Sequence, residues 1–519
     1  MPSTECRGGH WSVVYLKPDG KKKRVSRNAR GEKFADEEEA RNFGLDAEAD
    51  IRRGRWKDPD ASITFGEWSG TWFDGLALEP TTMRNYRSML ENHLLPVFQE
   101  RRLDSFTPEE MDPWERGMVR AGYAPRTAQD VRRLLGTILA DAVPRHIPSN
   151  PAARKRGKGR KAVRRVEAHL RAAKQWPTPL EVILLAERAA LLAGDMDVFV
   201  LTVAKAYLGA RWSEILALGP ESLLDGGARL NINTKLYELA GFYRGWPKDG
   251  SIREADVPPF LQALLCELAE RARTCSCTGR AEHLPKVDGA ELVEWCAGRR
   301  YLFLTPGRKG RAGGAHYQRG VFSSGVMRPA ADGVYPAKNE KRWPRPPRPV
   351  IVDVTPDETG TSTFPGRPLL PAWPYAVAGQ DFVIPRKRGQ WGYDPADPDR
   401  RHIATWLPLR PGLTWHGLRH GLQTWMDDGG VKKALKVDRM GHQDNTMQGR
   451  YAHITSDMVA ELLALLQGLW EMGLKLRHEI HPRSQVPVLD AALAPWREGT
   501  NVIMIPQSFP KQRNGRLSG

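Results

Sequence analysis

Three short stretches of this 519-residue chain hold residue types that can work together on a phosphate ester. The first, Leu208-Gly209-Ala210-Arg211-Trp212-Ser213-Glu214-Ile215, puts Arg211 at a glycine-led bend before an amphipathic turn, with Glu214 one turn later. The second is Trp415-His416-Gly417-Leu418-Arg419-His420. The third, Met440-Gly441-His442-Gln443-Asp444, is followed nine residues past His442 by Tyr451. Arginine offers a planar fork of donors matched to phosphate oxygens and stays charged at any working pH. Histidine moves a proton near neutrality. A tyrosine, with a free pKa near ~10, attacks at neutral pH only where cations favour its phenolate. The set suits in-line attack by a phenol on a phosphodiester. Singly, each residue has a plainer reading: Arg211 as a helix-capping surface cation, Tyr451 as a half-buried aromatic. His416 and His420 also have the spacing of a metal pair, but His416 lacks the adjacent Glu of a zinc-protease helix.

The elements that must carry these residues fall into blocks. In residues 1–58, His10 to Tyr15 alternates with the period of a strand and Pro18-Asp19-Gly20 supplies a turn. A return strand follows with Lys21, Lys22, Lys23 and Arg24, then a helix from about Asp36. This basic sheet, backed by one helix, either enters a DNA groove or is a solvated face. Residues 62–153 read as all-helical, with Phe65, Trp68 and Trp72 on one face. A second helix is capped at Thr81 or Thr82, and a third carries Val131, Leu134 and Ile138. Asn150-Pro151 closes the block. A linker spans 154–176; its stretch from Arg154 to Arg171 holds nine Lys and Arg against one Glu. There Arg154, Lys155 and Arg156 are candidate contacts to a phosphate backbone.

The largest block is 177–470, opening with helices at Leu180–Leu192 and Val198–Leu208. A Pro- and Arg-rich stretch at about 328–400 is expected to be a surface insertion, since proline at that density sustains neither helix nor central strand. Residues 471–519 are set apart as a C-terminal tail, expected to be loosely ordered and basic from about His481. In the helix after Tyr451, Met458, Val459, Leu462, Leu463, Leu466 and Trp470 share one side, either as internal core or as a surface for a neighbouring subunit.

Composition narrows the class. Lys and Arg total 78 against 61 Asp and Glu, a net charge of +17, which points to a polyanion as partner. No apolar run approaches the ~18–20 residues of a spanning helix, and the N-terminus lacks a signal pattern. Five cysteines, an odd number, argue against a disulfide framework and for a reducing, intracellular compartment. Cys275, Cys277, His283 and Cys296 are candidate zinc ligands, with plain reduced cysteines as the alternative. There is no phosphate-binding glycine loop ending in Gly-Lys-Ser/Thr, no dinucleotide fingerprint and no carboxylate cluster for a two-metal nuclease, so no cofactor is expected.

The order Gly-Ala-Arg-x-x-Glu-Ile, His-x-x-Arg-His, Gly-His and then a tyrosine resembles the tyrosine site-specific recombinases, within them the larger phage and integrative-element integrases. The resemblance spans roughly residues 8–470. It implies a multidomain, mainly α fold with small β-sheets. Its parts would be an N-terminal three-stranded sheet plus helix that binds arm-type sites, a helical SAM-like core-binding domain, and a mixed α+β catalytic domain. By that resemblance Arg211 and Arg419 hold the scissile phosphate and Tyr451 attacks it. His416 exchanges protons with the nucleophile, His442 hydrogen-bonds the phosphate, and Glu214 and His420 support the site. The family's leaving-group lysine maps to Lys248, in a hairpin turning at Asp249-Gly250, with Lys235 as the rival. The implied partners are double-stranded attachment-site DNA and a homo-tetramer assembled on it, with room for a host DNA-bending factor and a directionality factor. A topoisomerase with the same chemistry, or a catalytically silent DNA-binding regulator, are the competing functions.

Overall fold

The computed structural model describes residues 2–28, 32–53, 63–153, 175–239, 241–247, 250–277, 294–307, 313–337, 345–353, 403–442 and 453–498. The chain divides near residue 171 into two units, each taken by itself below.

The first unit begins with an antiparallel sheet of β1 (Ser3–Arg7), β2 (His10–Leu16) and β3 (Lys22–Val25), in that order. Helix α1 (Glu37–Arg52) is capped by the Asp36 carboxylate, which accepts from the Glu39 amide. The small core is Val13, Phe34 and Ala40. Gly44 lets α1 lie on the sheet, since a Cβ there would come within 2.5 Å of the Val13 side chain. Strand alternation sorts the basic run. Lys22 and Arg24 are exposed, whereas Lys23, paired opposite Tyr15, is buried on the helix side. Of the DNA-contact candidates Lys21, Lys22, Lys23 and Arg24, Lys23 is therefore corrected, because the period of two turns it to the face opposite Lys22 and Arg24. Arg24 also pairs with Glu5.

The helical block of this unit opens with α2 (Phe65–Asp74), started by a capping box between Thr64 and Glu67. Helix α3 (Pro80–Met89) runs through a π turn at Leu90–Leu94 into α4 (Leu95–Phe98). It starts on Pro80, whose fixed φ suits a first helical position, rather than at a threonine cap. Then come α5 (Pro108–Arg120) and α6 (Pro125–Asp141). The indole N–H of Trp68 donates to the Ile138 carbonyl at 2.9 Å and that of Trp72 to Asp141 at 2.6 Å, fixing α2 along α6. Arg101 holds the start of α5 through a two-pronged pair with Glu110 at 2.6 and 2.8 Å.

The second unit is built on α7 (Pro179–Ala193) and α8 (Asp197–Leu208), which are apolar nearly all round and buried along their length. After α9 (Trp212–Ile215) come β4 (Leu223–Leu224), β5 (Arg229–Ile232), β6 (Lys235–Glu238), β7 (Phe242–Gly245) and β8 (Arg253–Asp256). Strands β4, β5 and β8 form one antiparallel sheet. Helix α10 (Pro259–Glu270) precedes β9 (Arg273–Thr274), β10 (Glu294–Trp295) and β11 (Arg300–Tyr301). Strand β10 adds to the β6–β7 hairpin, and β9 pairs with β11. After α11 (Arg319–Phe322) and a π turn comes α12 (Arg328–Asp332).

The insertion starts later than expected, because Pro329, Ala330 and Ala331 are buried in α12. Strands β12 (Val334–Tyr335), β13 (Arg348–Pro349), β14 (Ile351–Asp353) and β15 (Ile403–Thr405) follow, with β14 paired to β15. The excursion thus leaves and returns at one place. Buried Arg188 of α7 ties both ends, donating to the carbonyls of Ala330 at 3.2 Å and Leu407 at 2.8 Å. Residues 354–402 lie outside the described residues.

Helices α13 (Trp415–Asp428), α14 (Lys433–Met440), α15 (Ser456–Ile480) and α16 (Pro487–Arg497) complete the unit. The expected tail from 471 is corrected as far as Arg497. Helix α15 runs straight through position 470, and Val486, Leu489 and Leu493 of the following segment are fully buried in the main core. Leu462, Leu466 and Trp470 of the apolar stripe are buried in that same core, with Trp470 stacked on Phe260 at 4.4 Å.

Candidate active site

Helix α8 ends at Gly209, whose left-handed backbone (φ 66°) reverses the chain so that Arg211 becomes the N-cap of α9. No side chain fits at 209: a Cβ would lie 2.8 Å from Leu422 and 3.0 Å from the Met440 sulfur. Glycine is needed there both for its backbone angle and for the close approach of α13 and α14. Arg211 donates through Nη1 to Glu214 at 2.7 Å and to the Ser251 hydroxyl at 3.0 Å. The Glu214 carboxylate also accepts the Arg211 backbone N–H at 2.8 Å and Nη2 of Arg253 at 2.9 Å. Arg253 comes from β8 and donates onward to the Arg439 carbonyl at 3.1 Å.

Arg419, on the buried side of α13, reaches back to the same bend. Its Nη1 donates to the Gly209 carbonyl at 2.6 Å, and its Nη2 contacts the Met440 carbonyl and lies 2.9 Å from Nε2 of His442. Gly441, left-handed at φ 57°, ends α14 and presents His442. Two neighbours of the cluster lock α9 to α13: Trp212, next to Arg211, packs edge-on to Trp415, next to His416, at 5.1 Å. Phe322 packs against both rings. Arg439 ties α14 to the rest by donating to the carbonyls of Asp256 at 2.8 Å and Tyr207 at 2.9 Å.

The cluster is strongly cationic. Arg419 is held down to about 10, by burial first and then by Arg211 and Arg253, and stays charged at neutral pH. Lys205, fully buried and donating to the Ala210 carbonyl, is pushed well below the usual lysine range by burial and then by Arg419. Glu214 is the counterweight. Burial alone would raise it, but Arg253 and the hydrogen bonds from Arg253 and Arg211 outweigh that and hold it at about 2. His442 is held below its ordinary range by burial and then by Arg419, Arg211 and Arg253, which favours the neutral ring.

Glu214→Gln should therefore destabilise the fold at neutral pH by about 3 kcal/mol, the ordinary-to-folded difference at ~1.4 kcal/mol per pH unit. Because the folded value lies below the unfolded one, this contribution is complete above pH 4.5 and is lost as pH falls towards about 2. Urea unfolding of both proteins at several pH values checks this: the gap should be widest at neutral pH and close below 4.5.

Of the residues expected from sequence, Arg211, Glu214, Arg419 and His442 meet in this one cluster. His416 is exposed and His420 half-buried on α13, with their rings edge-to-face at 4.8 Å. Lys248 and Tyr451 lie outside the described residues, as do Arg154, Lys155, Arg156 and His283. The expected hairpin around Asp249-Gly250 is not what flanks Lys248: β7 and β8 belong to different sheets, and β8 pairs with β5. Lys235 and Lys248 both fall in the excursion between β5 and β8. Lys235 is buried and stands over the Tyr237 ring at 4.5 Å. Sequence reading missed Arg253, Ser251 and Lys205. The available signals were an arginine at an inward register position of a strand and a lysine inside the apolar run of α8.

Of the candidate zinc ligands, Cys275, Cys277 and Cys296 are brought together, and among the described residues His316, which sequence reading did not name, joins them.

Residues 64–117 match the family described as phage integrase, N-terminal SAM-like domain. The chain is 25% identical over 267 residues to the prophage phiRv2 integrase of Mycobacterium tuberculosis, in both strain CDC 1551 and strain H37Rv. The match covers 50% of this chain and 65% of those relatives. Among solved structures, the Tn1549 transposon integrase in complex with transposon right end DNA aligns over 78% of this chain and all of that one, at 16% identity and TM-score 0.44. A lambda integrase dimer bound to a core site aligns over 87% of this chain and 96% of that one, at 15% identity and TM-score 0.38. Likenesses this loose carry no argument by themselves. The chain is thus similar to the SAM-like domain of phage integrases over residues 64–117 and to a prophage integrase over half its length. Among the described residues no helix is long and apolar enough to cross a membrane.

Proposed function

We propose that this chain is a site-specific DNA recombinase of the tyrosine class, which cleaves and rejoins duplex DNA through a 3′-phosphotyrosyl link to integrate or excise a mobile element. The observation that carries this is the convergence of Arg211, Arg419 and His442 from three separate stretches onto one hydrogen-bonded cluster. Fixed cationic donors of this kind stabilise the charge that builds on a phosphorane-like transition state without reorganising during the reaction. The integrase relatives and the SAM-like domain of residues 64–117 support the same reading.

In this mechanism Arg211 and Arg419 hold the non-bridging oxygens of the scissile phosphate, and neutral His442 adds a hydrogen bond. The Tyr451 oxygen attacks phosphorus, its proton passing to His416, and the bond to the 5′-oxygen breaks. Lys248 delivers the proton that the 5′-oxygen takes up as it leaves. Glu214 orients Arg211, and His420 supports His416. The phosphotyrosyl bond conserves the energy of the phosphodiester, so a 5′-hydroxyl from another strand can displace the tyrosine without ATP. With positive charge supplied by arginine, phosphoryl transfer asks for no metal at the phosphate. The enzyme would act in the bacterial cytoplasm as a homo-tetramer on two duplexes. The open face of the N-terminal sheet, with Lys22 and Arg24, the exposed Lys21 just before β3, and the basic stretch at Arg154, Lys155 and Arg156 would contact DNA.

A nicked DNA duplex spanning the junction beside the gene tests the reading, incubated without ATP or added divalent metal. A detergent-resistant protein–DNA adduct is expected with the unaltered chain and none with Tyr451→Phe. Adduct formation by both, or by neither although both bind the site tightly, would overturn it. The leaving-group lysine is tested with a bridging sulfur in place of the 5′-oxygen, since a thiolate leaves without a proton. Cleavage by Lys248→Ala should recover on that substrate. Recovery by Lys235→Ala instead would move the role to Lys235.

A further inference from the structure

We propose that the second unit carries a structural zinc site made by Cys275, Cys277, Cys296 and His316. These four offer ligand atoms that all lie within 4.8 Å of one another. The Sγ atoms of Cys275 and Cys296 are 3.5 Å apart. Tetrahedral zinc, with ~2.3 Å bonds to sulfur and ~2.0–2.1 Å to nitrogen, spaces its ligand atoms by roughly 3.5–3.8 Å. The quartet needs only a small contraction to reach that.

The residues come from three separate stretches that backbone hydrogen bonds already hold together. Cys275 follows β9, and its N–H and C=O bond to Arg299 at 2.7 Å and Gly298 at 3.0 Å. Ser276 donates to the Gly314 carbonyl at 2.9 Å, which brings up the stretch bearing His316. Cys296 directly follows β10. Two further amides aim at sulfur: Cys277 N–H donates to Cys275 Sγ at 3.4 Å and His316 N–H to Cys277 Sγ at 3.5 Å. Amide donors to sulfur stabilise the thiolate form in which cysteine binds metal.

His316 supplies the independent observation. Its residue surface is only 3% exposed, and among the described residues neither ring nitrogen has a hydrogen-bond partner. Phe242 and Tyr301 hold the ring at 5.1 and 4.5 Å. A buried imidazole with both nitrogens unpaired is costly, and a metal–nitrogen bond removes one of those orphans. A disulfide between Cys275 and Cys296 is the competing use of two of these residues. It explains neither the approach of Cys277 nor the unpaired His316.

Four protein ligands leave no open position, so the role is structural rather than catalytic. The local reason is plain: β9, β10 and β11 are two residues each, too short to persist as ribbons on their own. A metal joining their ends also anchors β10, which pairs with β7 through Glu294–Arg244 and Trp295–Tyr243.

The test is metal analysis of the full chain, purified without chelators after expression with zinc. Roughly one zinc per chain is expected, released when the thiols are blocked with a mercurial reagent. Cobalt in its place should give the intense absorption of a tetrahedral sulfur-ligated site. His316→Ala and Cys277→Ser should lose the metal at least tenfold, His316→Cys should keep it with a fourth thiolate, and His283→Ala should keep it too. Less than a tenth of an equivalent in the unaltered chain overturns the site even if the variants fail to fold. Full zinc in His316→Ala, or a Cys275–Cys296 disulfide in the purified chain, would also overturn it.

Discussion

Arg419→Lys is expected to slow strand cleavage by about a thousandfold, the scale of removing a key transition-state donor, while DNA binding weakens by less than about tenfold because other cations carry the phosphate contacts. The substitution keeps the formal charge but loses two things. The first is geometry. The guanidinium reaches the Gly209 carbonyl, the Met440 carbonyl and His442 from one plane, and an ammonium cannot reproduce that fork. The second is the charge itself. Burial, Arg211 and Arg253 bring the arginine only to about 10, but a lysine starts nearer ~10.4 and would neutralise in the same surroundings. Lys205, buried beside it, already lies well below the usual lysine range. Single-turnover cleavage of the nicked substrate, with binding followed by fluorescence anisotropy, checks both halves. A loss of cleavage below tenfold would mean that Arg419 organises the bend at Gly209 without meeting the phosphate.

Arg477→Met is expected to destabilise the second unit by about 3–5 kcal/mol, because it strands a buried carboxylate. Arg477 is fully buried and donates to Glu187 at 2.7 and 3.0 Å. It also donates to the carbonyls of His481 at 2.6 Å and Arg483 at 3.1 Å. The Ser484 hydroxyl adds a 2.6 Å bond to the same carboxylate. The network fastens the segment between α15 and α16 to α7. Urea unfolding should show the loss, and pairing Arg477→Met with Glu187→Leu should recover much of it by removing both charges. A loss under about 1 kcal/mol would mean that the pair behaves as a surface bridge.

The same segment shows what sequence patterning could not reach. Residues after 470 are interrupted by Pro482, Pro487, Pro495, Pro506 and Pro510, so they read as a tail. Their order comes from Leu489 and Leu493 joining the main core and from Arg477 pairing with Glu187, 290 positions earlier, a contact no local period reports. Where the signal is local, the reading was close. The helices of α7 and α8, the capped start of α1, and the glycine bend before Arg211 follow from apolar spacing and glycine chemistry within a few residues. The cluster of Arg211, Glu214, Arg419 and His442 was legible because the residue types matched one chemistry. Arg253 was not, since an arginine in a strand looks solvated until the sheet register buries it against Glu214. Lys23 went the other way, a basic residue in a basic run that the strand period turns inward. His316 was hidden because its fellow ligands sit 20 to 41 positions away and only the fold joins them.

The central claim is that Tyr451 becomes covalently joined to a DNA 3′ phosphate. The most direct measurement is to digest the trapped adduct with nuclease and protease and locate the residual nucleotide by mass spectrometry. The account predicts a single modified peptide, with the nucleotide on Tyr451 through a 3′ phosphate and a 5′-hydroxyl on the released strand. A nucleotide on any other residue, or attached through a 5′ phosphate, would contradict it.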